Sequence, residues 1–176
     1  MDGVLLARDA QGLDILEPGD AKHAVDIFRR DGFVVIANAL TSEQTGFLAN
    51  GCHEVIGEIL ALDADRKGNR GDHRYSFGGS SLTRSQLHRP EWQMLLDVPV
   101  VNEVVSAIFE SENYVLRAAS GDFCLPGAVG YQPLHSDVQG WRDDKTTPFS
   151  SFHDPRRQLT IRDLPCPYVC VNFLPQ

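Results

Sequence analysis

Leu134-His135-Ser136-Asp137 carries the residue types best suited to chemistry in this chain of 176 residues. Side chains on a β-strand alternate between faces, so on a strand His135 and Asp137 point the same way. An imidazole nitrogen and a carboxylate oxygen then converge on one point. These are two of the three donors of the 2-His-1-carboxylate arrangement that holds non-haem Fe(II) and leaves positions open for a cosubstrate and O2. Taken alone, His-x-Asp is a common pair, and a hydrogen-bonded surface couple is its plain alternative. The segment lies between Tyr131-Gln132-Pro133 and Val138-Gln139-Gly140-Trp141. It follows the turn signal Pro126-Gly127, where helical texture has given way to strands.

The elements that must position this pair are legible from periodicity and punctuation. Asp20 is a plausible N-cap for a helix to about Arg30, with Ala24, Ile27 and Phe28 at helical spacing and Asp31-Gly32 closing it. Phe33-Val34-Val35-Ile36 follows as a short β-branched strand. Thr41-Ser42-Glu43-Gln44 is a capping box. It opens a helix to about Leu62, whose stripe Phe47, Leu48, Cys52, Val55, Ile56, Ile59 and Leu60 reads as core packing. Pro90 suits the first turn of a helix to about Leu96. Another helix runs from about Pro99 to Phe109, with Val101, Val104, Val105 and Ile108 inward. Strand texture begins at Tyr114 and runs to Ser120, then resumes over Gly121–Leu125, the His-x-Asp segment, Leu159–Ile161 and Tyr168–Leu174. Helices first and strands second is the α+β pattern, with helices packed on one side of a largely antiparallel sheet. Residues 1–18 show no period and read as a loosely packed lead-in. Residues 63–81 are polar and long for a connector, as lids and binding loops are. There His73, Arg74 and Tyr75 either touch a substrate or are simply solvated.

Composition narrows the function classes. At 42% hydrophobic and 23% charged the chain has ordinary globular usage. A net charge of −8 argues against nucleic-acid binding, which needs a Lys/Arg-rich surface. No apolar run reaches the roughly 20 residues needed to cross a bilayer, and the first residues lack a signal-peptide pattern. A soluble, cytoplasmic protein without a membrane or nucleic-acid partner is expected. The four cysteines, Cys52, Cys124, Cys166 and Cys170, are too scattered for a disulfide scaffold. On a strand Cys166 and Cys170 would lie roughly 13 Å apart, too far to share one ion, so buried apolar thiols are expected.

Several segments together resemble the phytanoyl-CoA dioxygenase family. They are Phe28-Arg29-Arg30-Asp31-Gly32-Phe33-Val34-Val35-Ile36, Gly121–Ala128, Leu134-His135-Ser136-Asp137, Trp141, and Asp163-Leu164-Pro165 leading into Tyr168–Phe173. The likeness runs from about residue 20 to the end of the sequence. It implies a double-stranded β-helix (jelly-roll) core faced by the N-terminal helices. It also implies Fe(II) and the cosubstrate 2-oxoglutarate, whose oxidative decarboxylation to succinate and CO2 is coupled to oxidation of a small organic substrate by O2. Carried over, His135 and Asp137 are iron ligands, Trp141 matches an aromatic near the iron-facing mouth, and Asn172 projects toward the cosubstrate.

The pattern also departs from the family. There the distal histidine and the arginine that pairs with 2-oxoglutarate come well after the His-x-Asp strand. Here 39 residues follow Asp137, and the one later histidine, His153, stands in a loop-like context. Arg156, Arg157 and Arg162 do not sit where the family's arginine would. The expectation is therefore a lead-in over 1–19 and one dioxygenase-like domain over 20–176, helical to 112 and carrying the first jelly-roll strands from 113, incomplete at its C-terminal end. The alternative is a truncated or inactive dioxygenase-like protein acting as a binding or regulatory module. A non-enzymatic jelly roll is a third reading.

Overall fold

The computed structural model describes residues 5–8, 12–78, 84–132, 155, 156, 158, 166 and 168–175. The chain divides into two compact units, one of residues 1–130 with 173–176 and one of residues 131–172.

In the first unit, strands β1 (Leu5–Arg8) and β2 (Asp14–Leu16) form an antiparallel pair with a register irregularity between Leu5 and Ala7. Helix α1 (Ala21–Asp31) then carries the chain to β3 (Val35–Ile36), which pairs parallel with β2. The resulting sheet has the order β1-β2-β3. Residues 5–8 and 14–16 are thus strand rather than loose lead-in, and Leu16, 2% exposed, ties β2 to the core. Periodicity could not show this, since β2 is three residues long and a period of two needs more.

Helix α1 forms as its punctuation dictates. The Asp20 carboxylate accepts from the His23 N–H at 2.9 Å, and Gly32 ends the helix at φ 85, where a side chain would be strained. Its apolar face, Ala24, Val25 and Ile27, is buried and packs on α4 (Pro99–Phe109), which buries Val104 and Ile108. Arg30 joins Asp14 and Asp31, each at 2.6 Å, and fixes α1 to β2 at the surface.

Helix α2 (Ser42–Leu62) opens with the capping box complete in both directions: Thr41 Oγ1 accepts from the Gln44 N–H, and Gln44 Oε1 accepts from the Thr41 N–H. Leu48, Gly51 and Val55 are its buried residues, while Phe47 stays 41% exposed. The contact face is thus narrower than the apolar stripe. Gly51 is needed there, because a Cβ would lie 2.5 Å from Cγ of Glu91 in α3 (Pro90–Gln93). Helix α3 tightens into a 3-10 stretch, Met94–Asp97, before Val98 and Pro99 start α4. The Arg89 guanidinium holds Glu58 Oε1 of α2 at 2.7 Å.

The second sheet is the antiparallel pair β4 (Arg74–Phe77) and β5 (Gly121–Cys124). Residues 114–120, expected as a strand, are irregular, and Val115 is 90% exposed. Side chains anchor the end of this stretch in place of a ladder. Ser85 Oγ accepts from the Ala119 N–H at 3.0 Å, and Trp92 Nε1 donates to the Ser120 carbonyl at 3.2 Å. The architecture is α+β, with strands before the helices as well as after them. Among the described residues no single helix is long and apolar enough to cross a membrane.

Candidate functional site

The strand pair that precedes the His-x-Asp segment is built around aromatic rings. In the β4–β5 register Tyr75 faces Phe123 and Phe77 faces Gly121. Tyr75 stacks on Phe123 with centroids 4.6 Å apart and planes 5° from parallel. Phe77 meets Trp92 edge-on at 5.9 Å. Gly121 leaves room for Phe77, whose ring carbon Cζ would lie 2.3 Å from any Cβ there. Tyr75 is 4% exposed, so it is a core residue rather than a substrate contact or a solvated loop residue.

Residues 63–73 are organised by one carboxylate. Asp63, just past the end of α2, accepts from the N–H groups of Lys67 (3.2 Å) and Gly68 (2.8 Å) and from the Tyr75 hydroxyl (2.7 Å). The Arg66 guanidinium donates to the Leu60 and Asp63 carbonyls, satisfying acceptors left over at the helix end. Asn69 then imitates a strand against β4: its amide nitrogen donates to the Ser76 carbonyl at 2.8 Å, and its oxygen accepts from the Ser76 N–H at 2.9 Å. Here the polar loop is a tied connector. A long polar run resembles a lid in composition, and only the convergence of its bonds on Asp63 and β4 tells the two apart. The available sequence sign was an Asp at the helix end followed by Gly68 five residues on.

Those donors set Asp63's acidity. The Gly68 N–H first and the Tyr75 hydroxyl second hold its carboxyl below the usual carboxylate range. Burial first and the bond to Asp63 second push the Tyr75 phenol up. A carboxyl depressed in the folded state contributes stability that is present above the unfolded value, about 3.9, and lost as pH falls through the folded one. Asp63→Asn is therefore expected to be less stable than the parent chain at neutral pH, with the gap closing below about pH 4. Urea midpoints across a pH series check this. A gap that stays constant down to pH 2 would sink it.

Leu125 donates its N–H to the His73 carbonyl at 2.9 Å, while the His73 N–H donates to the Arg66 carbonyl at 2.9 Å. His73 holds φ 63, and Nδ1 of its ring is buried without a hydrogen-bond partner. The ring runs along Gly127 and the Arg74 side chain along Gly130, in the stretch that leads on toward residue 135.

Of the four site residues read from the sequence, His135, Asp137 and Trp141 lie outside the described residues, as do His153, Arg157, Arg162 and the strand expected over Leu159–Ile161. Asn172 is described: it is exposed, and its Oδ1 lies 3.8 Å from Cys170 Sγ. Residues 168–174, expected as a strand, have no strand pairing. The expectation of buried thiols at Cys166 and Cys170 also fails: Cys170 is exposed, and Cys166, whose Sγ lies 3.3 Å from the Tyr168 carbonyl, is partly exposed. Without a strand to hide it, an alternate residue of an apolar run faces water. Cys52 is half-buried in α2, and burial followed by the Glu91 charge pushes its thiol up, away from reactivity. Among the described residues no cluster of three or more His, Cys, Asp or Glu side chains is placed to hold a metal ion. No family model, curated protein or solved structure matches this chain.

Proposed function

We propose that this chain is a non-haem Fe(II)- and 2-oxoglutarate-dependent dioxygenase of the phytanoyl-CoA dioxygenase kind, oxidising a small organic substrate with O2, and that its core is a double-stranded β-helix faced by the N-terminal helices. The observation that carries the reading is Leu134-His135-Ser136-Asp137, which places an imidazole and a carboxylate two residues apart after a run of strand-like residues. The Phe28–Ile36 segment that shares the family likeness forms the end of α1 and leads into β3.

The donor set suits Fe(II) in kind. Neutral imidazole and one carboxylate leave the ion a net positive charge and exchangeable positions that a bidentate 2-oxo acid and O2 can occupy. His135 and Asp137 supply two of the three protein donors of such a site. Bound iron supplies the redox centre at which O2 and 2-oxoglutarate react. The chain's own work is to bind and to exclude. His135 would offer a neutral nitrogen to the ion, and a hydrogen bond at its other ring nitrogen would set the tautomer. Asp137 offsets charge. On the family likeness Trp141 would narrow the approach and Asn172 would offer an amide to the cosubstrate.

Under anaerobic conditions, adding 2-oxoglutarate to the Fe(II)-loaded chain is expected to produce the weak visible charge-transfer band of a chelated 2-oxo acid. His135→Ala is expected to abolish it. A folded chain that gives no band contradicts the dioxygenase reading. A second reading, a dioxygenase-like binding module, rests on the fact that His-x-Asp by itself supplies two donors and no cosubstrate cation. That reading predicts iron binding without the 2-oxoglutarate band.

A further inference from the structure

We propose that Asp31-Gly32, at the end of α1, is a site of spontaneous rearrangement from aspartate to isoaspartate, and that the Arg30 guanidinium, shared between Asp31 and Asp14, restrains it. This chemistry is separate from the iron reading and uses only residues of α1, its cap and β2. Asp-Gly is the dipeptide most open to the reaction, because glycine has no Cβ to hinder attack by its nitrogen. The Gly32 backbone nitrogen attacks Cγ of Asp31. A C–N bond forms, a C–O bond of the carboxyl breaks, and the hydroxyl leaves as water with the amide proton. The cyclic imide then takes up one water. Opening at the Asp31 main-chain carbonyl leaves the backbone running through Cγ, one methylene longer, with the overall composition unchanged.

The local structure opposes each step. The Gly32 N–H donates to the Phe28 carbonyl at 2.8 Å, which holds the nucleophile in the last turn of the helix. Arg30 grips both oxygens of the electrophile, Nε to Oδ1 at 2.8 Å and Nη2 to Oδ2 at 2.6 Å. Ring closure expels water only from the protonated carboxyl, and the bonds from Arg30 hold that carboxyl below the usual carboxylate range. The same Nη2 reaches Asp14 Oδ2 of β2 at 2.6 Å, so the clamp also ties down a helix end that would otherwise fray.

Such a clamp does little for stability. The Arg30 side chain is 59% exposed, and exposed ion pairs contribute little. Its larger effect falls on the chemistry of Asp31. Gly32, at φ 85, caps α1 and hands the chain to β3, which pairs with β2. A longer backbone at Asp31 would draw the Gly32 N–H away from Phe28 and spoil that cap.

The test ages the full chain, Arg30→Ala, Arg30→Lys and Asp14→Asn in water enriched in oxygen-18. Imide opening leaves one heavy oxygen at the reacted residue, and fragment masses of the digested chain place it. Labelling at Asp31 is expected to be slow in the parent and severalfold faster in Arg30→Ala. Arg30→Lys falls between them, because it keeps the charge but not the fork. Asp14→Asn also labels faster than the parent, but less so than Arg30→Ala, since only the tie to β2 is lost. Thermal melts of the four chains are expected to stay close together. In strong urea, where the clamp is gone, parent and Arg30→Ala should label Asp31 at the same rate. Equal rates in the folded parent and folded Arg30→Ala would overturn the proposal, as would a rate difference that persists undiminished in urea.

Discussion

Replacing Trp92 by Ala is expected to lower the free energy of unfolding by about 3–5 kcal/mol, the range for truncating a buried large aromatic. Trp92 is 3% exposed, meets Phe77 edge-on, and donates its indole N–H to the Ser120 carbonyl. Truncation opens a cavity between α3 and the β4–β5 pair and leaves that carbonyl without its partner. Domains of this kind have about 5–15 kcal/mol in all, so the loss brings the first unit close to unfolding. The urea midpoint should fall accordingly. Trp92→Phe separates the causes: it keeps most of the ring volume and loses the bond, and a cost of about 1–3 kcal/mol is expected. A midpoint for Trp92→Ala within error of the parent would mean that this ring does not hold the strand pair.

Gly68→Ala should be nearly as damaging, for a reason confined to the backbone. Gly68 sits at φ 61, and a Cβ would lie 2.1 Å from the Arg74 carbonyl oxygen and 2.4 Å from that of Gly71. The left-handed conformation alone costs a side chain about 1–3 kcal/mol. Neither carbonyl is a flexible group that can step aside, so the turn must open. Opening it pulls the Gly68 N–H from Asp63 and loosens the carboxylate's hold on Tyr75. Gly57→Ala is the control. It lies within α2, nothing stands within 4 Å of its Cβ position, and the change should stabilise by about 0.5–1 kcal/mol. Thermal melts of the two variants should move in opposite directions. Equal shifts would contradict the packing described for residues 63–73.

The helices were largely legible because their signals are local. Asp20 and Gly32 bracket α1, Thr41 and Gln44 open α2, and Pro99 starts α4; each is a residue meeting the backbone demands of a helix end within one turn. What escaped was non-local. Strands β1 and β2 are too short to show a period, and β2 finds its parallel partner β3 only through the whole of α1. Residues 114–120 have the β-branched and aromatic texture of a strand, yet Ser85 and Trp92 take up their backbone groups at Ala119 and Ser120 in place of a neighbouring strand. Tyr75 read as part of a polar loop because its neighbours in sequence are Arg and Ser, whereas its neighbours in space are Phe123 and Asp63. The candidate metal pair is the reverse case. His135 and Asp137 are a local pattern with definite chemistry, and they stand in the part of the chain outside the described residues.

On the proposed reading His135 and Asp137 hold iron, and metal affinity tests this without need of substrate or turnover. Fe(II) titrated anaerobically into the parent chain, His135→Ala and Asp137→Ala should bind the parent at a single saturable site. Each substitution should weaken that binding by a hundredfold or more, about 2.7 kcal/mol, while far-ultraviolet circular dichroism stays unchanged. Folded variants that bind Fe(II) as tightly as the parent would show that the pair is a surface couple and that iron, if it binds at all, is held elsewhere.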